Sequence, residues 1–313
     1  AQTLNVTLDA NNTFKLSKNP SCSNASSAIQ VNIGPHDLNS RSEPFWIKLE
    51  NASNASGTIT ASTPNLGVSS ENTLLKQPTI EVSGLPTQLV TNACYETEIN
   101  LKANGSLLSI PADKQVTVNA ILQGYMTTIF TKPNCESAAG SEVKLQFTTG
   151  PATQKIWVRV GSSDTIQFDA ALMINQNMKT SSLHNVQSLN VTALVNDGMP
   201  ISTGHICVPL QFNLDTSLPE AATIQNIHIS GSVIASSTIY LDAGCTTSIS
   251  EISIAPGALT TTPVYFKPAT SFADGSYQIS FDTIRSISTG FDINPVKNSF
   301  NGSCSSSSCN QPN

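Results

Sequence analysis

Charge is scarce in this sequence. Asp, Glu, Lys and Arg make up 12% of its 313 residues, against about 25% in ordinary soluble domains. The net charge is −6 and no cluster of Lys and Arg interrupts it, which excludes a nucleic-acid groove. No apolar run approaches the ~18 to 20 residues of a membrane-spanning helix. Nor does any window hold apolar residues at helical spacing over three turns, so long amphipathic helices are excluded. Segments such as Pro219-Glu-Ala-Ala222 have room for a single helical turn. The chain has seven cysteines but no Cys-x-x-Cys pair, the spacing of zinc and dithiol redox motifs.

The motifs of catalysis are missing as well. There is no Gly-x-Ser-x-Gly elbow. His36, His184, His205 and His228 do not fall at the spacing of a metal-ligand set. Asp164, Asp169, Asp242 and Asp274 are scattered among turn residues, where Asp usually satisfies backbone groups. The expectation is a protein with no catalytic residues, no metal and no cofactor, and therefore not an enzyme.

What is present is alternation. Leu4-Asn-Val-Thr-Leu8, Glu96-Thr-Glu-Ile-Asn-Leu101, Val116-Thr-Val-Asn-Ala-Ile121 and Gln211-Phe-Asn-Leu214 place apolar residues at every second position. Gly, Pro, Asn and Ser separate such runs at the spacing of a β-sandwich. The fold class is all-β.

One block occurs three times. A short apolar strand runs into a turn and a cysteine in Phe14 to Cys22, Thr127 to Cys135 and Ser237 to Cys245. Alternating residues follow each cysteine: Ala28 to Ile33, Glu142 to Phe147 and Glu251 to Ile254. An aromatic-aliphatic strand begins 23, 21 and 19 residues after the cysteine, at Phe45, Ile156 and Val264. A fixed order at near-constant spacing is a structural repeat. About three sandwich units are expected: a first, incomplete by this frame, over 1–78, a second over 79–186 and a third over 187–290, with a tail at 291–313. Trp46 and Trp157 fall at equivalent positions, and core packing is the expected role of both; a sugar-stacking platform is the functional alternative.

The second and third units each carry an early and a late cysteine, 41 and 38 residues apart. The simplest pairing is Cys94 with Cys135 and Cys207 with Cys245, which the loop-entropy rule values at about 3 to 4 kcal/mol each. Bridges between neighbouring units stay open. The first unit has the late cysteine, Cys22, without an early one. The end of the chain has an early one, Cys304, without a late one, after a segment patterned like Ile80 to Cys94. Two readings follow. Either the first unit is a short complete domain and the tail after Cys304 is disordered, or the unit is split. In the split reading Phe291, Ile293 and Val296 form a donor strand for the first unit of the next molecule, locked by an intermolecular Cys22–Cys304 bond. Such a contact is heterologous and builds a head-to-tail filament.

The third unit resembles the bacterial immunoglobulin-like repeats of secreted and surface proteins. Tyr240-x-Asp-x-x-Cys245, Ile252-x-Ile-x-x-Gly257, Tyr265-Phe-Lys267 and Gly275 carry the likeness; the second unit departs from it at Thr131-Lys-Pro-Asn-Cys135. The resemblance implies tandem immunoglobulin-like sandwiches in an adhesive, spacer or fibre protein, with no catalytic residues to transfer. Its partners would be other copies of itself, or a host-cell or glycan ligand. A carbohydrate-binding accessory module is the alternative. Cysteine usage points to an oxidising compartment, and Ala1-Gln2-Thr3 reads as an N-terminus left by signal-peptide removal, so a secreted or cell-surface location is expected. Asn-x-Ser/Thr triplets at Asn5, Asn11, Asn24, Asn51, Asn54, Asn104, Asn190 and Asn301 occur at about the rate chance gives for this composition.

Overall fold

Alternating residues become strands here because only a pleated backbone sends every second side chain to one face. In the strand Val208–Leu214, Val208, Leu210, Phe212 and Leu214 are buried while Pro209, Gln211 and Asn213 are half-exposed. A sheet with one apolar face needs a second sheet to cover it. The computed structural model describes residues 2–9, 14–33, 42–49, 55–63, 67–75, 78–103, 105–110, 115–162, 164–173 and 179–313. Among them there is no α-helix, and the chain is all-β.

The third unit shows the plan most fully. One sheet places the strands Val191–Val195, Val208–Leu214, Val264–Pro268 and Ile234–Tyr240 side by side. In chain order these are the unit's first, second, fifth and fourth strands. The facing layer holds the third, sixth and seventh, each broken once along its length. The third is Ala222–Gln225 with His228–Gly231, and the sixth is Gly275–Ser280 with Thr283–Ser286. The seventh is Asp292–Ile293 with Ser299–Cys304. An added edge strand, Glu251–Ile254, pairs with the third. The order 1-2-5-4 facing 3-6-7 is that of an immunoglobulin-type sandwich. Between the layers Phe212 meets Phe281 edge to face, with centroids 5.5 Å apart, and Phe300 closes the ring cluster.

The second unit repeats the plan. Thr79–Ser83, Tyr95–Ala103, Thr153–Val160 and Thr127–Lys132 form one sheet. Glu142–Phe147, Val116–Gln123, Thr165–Leu172 and Lys179–Gln187 form the other. Its core is continuous with that of the third unit.

Among its described residues the first unit has six strands: β1 Gln2–Asp9, β2 Phe14–Ser17, β3 Ala28–Ile33, β4 Trp46–Leu49, β5 Ala55–Thr63 and β6 Gly67–Leu75. Its larger sheet runs β3-β1-β5-β6, the order of the second unit's facing sheet. Among the described residues its smaller sheet is the ribbon β2-β4, with Ser26 bridged to Leu16 of β2. By position these are the third to seventh strands of the plan with the added edge strand. Counterparts of the first and second strands are absent among the described residues. Its core is small and separate, centred on Val6, Leu16 and Val31.

The segment 291–313 is not a free tail, which corrects the sequence reading. Ile293 pairs with Ile284, and Phe300 with Ile279; both Ile293 and Phe300 are buried in the third unit. Beyond Cys304 the chain stays engaged. Tyr277 donates its hydroxyl to the Asn310 carbonyl at 2.7 Å, and the Gln311 side chain bonds both backbone groups of Val195. The apolar positions of the seventh strand are what the third core requires, so they are not available to another molecule.

Gly302 lies against the face of Tyr277, where a Cβ would run into the ring. Gly302→Ala should therefore destabilise the protein by about 1–3 kcal/mol, the usual cost of overpacking, measured as a lowered urea midpoint with unchanged slope.

Candidate functional site

The repeated turn is built around a strained cysteine. Cys22, Cys135 and Cys245 have φ of 55°, 52° and 50°, a left-handed conformation that side-chain-bearing residues seldom adopt. The Cys22 N–H donates to the Asn19 carbonyl at 2.8 Å, and the Cys245 N–H to the Asp242 carbonyl at 2.9 Å. Around Cys245 the Asp242 carboxylate accepts the N–H groups of Thr247, Thr246 and Gly244. The Thr247 N–H first, then the Thr246 groups and the Gly244 N–H, hold its pKa below the usual carboxylate value against the pull of desolvation.

The structure joins Cys94 to Cys135 and Cys207 to Cys245, each pair with Cα atoms 6.0 Å apart. Each bond ties the residue before the unit's second strand to the turn after its fourth. Cys304 is joined to Cys309, with which it is directly paired in a hairpin. The expected Cys22–Cys304 bond is thereby corrected: Cys304 has a partner five residues away, and Cys22 is a free, half-buried thiol. The donor-strand residues are corrected too. Phe291 packs on the Cys94–Cys135 bond of the same molecule, Ile293 is core, and Val296 is 69% exposed.

Among the described residues a polar site is built at the joint between the second and third units, and sequence reading missed it. Glu220 crosses from the third unit and accepts the Cys94 backbone N–H at 2.9 Å. Its other oxygen accepts the hydroxyls of Ser286 and Ser288. Arg159 lies over the Phe291 ring, 3.6 Å from the centroid, and over the Phe130 ring at 5.4 Å. Partial burial lowers the Arg159 pKa, and the aromatic faces supply the cation–π contact that offsets it. Gln187 adds a 2.8 Å bond to Thr216 across the joint. Glu220 stands in Pro219-Glu-Ala-Ala222, and a lone acid among small apolar residues was the only signal available.

A cleft of about 280 Å³ opens at this joint, lined by Trp157, Asn134, Glu96, Glu220 and Ser288. Trp157 is half-buried on the disulfide, and Trp46 is also half-buried, so neither is the core residue expected. His184 is buried between Ser182 and the Pro86 carbonyl, and His228 is exposed on its strand near Asp282. His36 lies outside the described residues, as do Asn11, Asn51, Asn54 and Asn104. Among the described residues no three His, Cys, Asp or Glu gather as a metal site, and no helix is long and apolar enough to cross a membrane.

No family model and no curated protein matches the chain. Among solved structures it is similar to the type II cohesin dyad of the adaptor scaffoldin ScaA of Acetivibrio cellulolyticus. The identity is 9% over 69% of this chain and 95% of that one, with a TM-score of 0.24. It is similar to FdeC, an Escherichia coli adhesin, at 10% identity over 94% of this chain and 97% of that one, with a TM-score of 0.29. It is also similar to invasin, a bacterial integrin-binding protein, at 12% identity and a TM-score of 0.23, covering 93% of this chain and 51% of invasin. At such scores the fold rests on the strand order of this chain itself.

Two outcomes test the joint. Glu220→Ala leaves the Cys94 N–H unpartnered and should cost about 1–3 kcal/mol, seen as faster amide exchange at residue 94. Desolvation first, then the nearby Glu220 charge, push the Tyr95 pKa up to about 12, against the opposing Val90 N–H bond. Its ordinary value near 10 applies in the unfolded chain. The folded state thus holds the proton longer, and stability should be full below pH 10 and fall as pH rises from about 10 to 12. Denaturant titrations across that range check this, and Tyr95→Phe should flatten the slope.

Proposed function

We propose that this chain is an extracellular, non-catalytic protein of tandem immunoglobulin-like sandwiches whose work is adhesion or scaffolding. The observation that carries the reading is the joint at Glu220. Two units share one continuous core and are pinned by a carboxylate that accepts three hydrogen bonds across and beside the seam. Such a joint suits a stiff extension that presents a surface at a distance, and has no use in a mobile linker. The disulfides favour an oxidising compartment. The polar, charge-poor surface suits prolonged contact with neighbouring macromolecules.

The half-exposed Trp157 favours a second reading, the binding of a glycan. An indole face beside Glu96, Asn134 and Glu220 has the apolar and polar halves that a sugar ring requires. Beads coated with the intact chain should be retained on cultured epithelial cells more strongly than beads coated with reduced, alkylated chain. Equal retention would reject adhesion by the folded units. A glycan array separates the two readings: binding abolished by Trp157→Ala supports the sugar cleft.

A further inference from the structure

The cleft at the joint holds a charge that a neutral sugar has no use for. Glu220 is half-buried, and neutral donors alone attend its carboxylate: the Cys94 N–H on Oε1, the hydroxyls of Ser286 and Ser288 on Oε2. Among the described residues no Lys, Arg or His forms an ion pair with it. A partly buried carboxylate without a counter-charge is costly, and a bound cation relieves that cost. It also has an acceptor to spare. A carboxylate oxygen offers two lone-pair sites, and among the described residues Oε1 accepts only the one N–H.

Glu96 supplies a second acceptor. It stands directly opposite Trp157 on the neighbouring antiparallel strand, and such pairs lie side by side on one face of the sheet. Lys155 binds its Oε1 at 2.6 Å, and among the described residues no donor reaches its Oε2. The cleft is thus walled by an indole and two carboxylates, with no cation among the residues that line it. Trp is the best aromatic face for an ammonium group. The site also continues beyond the indole. A second cleft, of about 620 Å³, shares Gly84, Tyr95 and Pro219 with the first and carries the hydroxyls of Thr87, Thr216 and Ser217.

We propose that the joint binds a glycan through a protonated amino sugar. Its ring lies on Trp157, its ammonium group between Glu96 and Glu220, and the neighbouring rings of the chain run into the second cleft. This rests on the glycan reading given above and narrows it to one class of sugar. An ammonium group has three N–H donors for the free oxygens of the two carboxylates. Acetylation of the same nitrogen removes the charge and leaves one N–H. A lysine side chain carries the same ammonium, but its slim stem covers little of an indole face and offers nothing to the row of hydroxyls.

The test uses the full chain and three β-1,4-linked oligosaccharides of equal length, built from glucosamine, N-acetylglucosamine and glucose. Titration calorimetry is run at about pH 6, above the ordinary Glu pKa of about 4.3. The glucosamine oligomer should bind on the order of tenfold more tightly than the other two, and added salt should shrink that advantage. Glucosamine itself should bind more weakly than its oligomer. Glu96→Gln should bring the glucosamine oligomer toward the level of the neutral ones and leave those unchanged, whereas Trp157→Ala should weaken all three. Equal affinity for the three oligomers would overturn the amino-sugar assignment and leave a neutral glycan cleft standing. Binding of none would reject the glycan reading itself. A short lysine peptide forms the last arm: affinity equal to that of the glucosamine oligomer would make the site one for any ammonium group and overturn the glycan as its partner.

Discussion

Everything in this molecule depends on one requirement: a pleated sheet with an apolar face must be covered by another. The alternation that makes a strand half apolar also makes a lone sheet unstable in water. Among the described residues the second and third units meet the requirement with seven strands and an added edge, and the side chains of their cores are almost fully buried. Where the second unit meets the third, the same requirement is met between neighbours, since their buried side chains run on without interruption. The carboxylate of Glu220 and the amide of Gln187 at that seam find hydrogen-bond partners, which is the condition for burying polar groups at low cost.

The disulfides act on a different part of the problem. Each joins the entry of the second strand to the turn after the fourth, at the rim of one sheet and not through the core. The left-handed cysteine is what makes that reach available. A right-handed or extended residue at that position would send the sulfur along a different vector. The turn around Asp242 shows how the conformation is held: one carboxylate gathers successive N–H groups and fixes the backbone before the sulfur is considered.

The sandwich class was legible because alternation such as Glu251-Ile-Ser-Ile254 is local, and the repeat because cysteine spacing survives differences in the intervening residues. The frame of the first unit, opening without an early cysteine, was legible for the same reason. The fate of 291–313 was not. Its strand is interrupted by Pro295 and contains Gly302, chosen by the ring of Tyr277 more than twenty residues away in the chain, so local pattern undervalued it. Glu220 was invisible because its partners lie in another unit, and no periodicity marks a single carboxylate. Trp157 was misplaced because an indole on the outer side of a sheet and one in the core look alike in sequence. Only the disulfide beside it decides.

The cysteine bridges also govern what happens when such a chain is pulled. A covalent bond between Cys94 and Cys135 lets tension bypass the 41 residues it spans. Those residues, about 135 Å of extended chain at ~3.3 Å each, stay slack even if the unit comes apart. An opened unit therefore falls short of its full contour by that length. The third unit is limited in the same way through Cys207 and Cys245. A tether built from such units reaches its limit sooner than an unbridged one would, and keeps whatever it holds within a shorter reach.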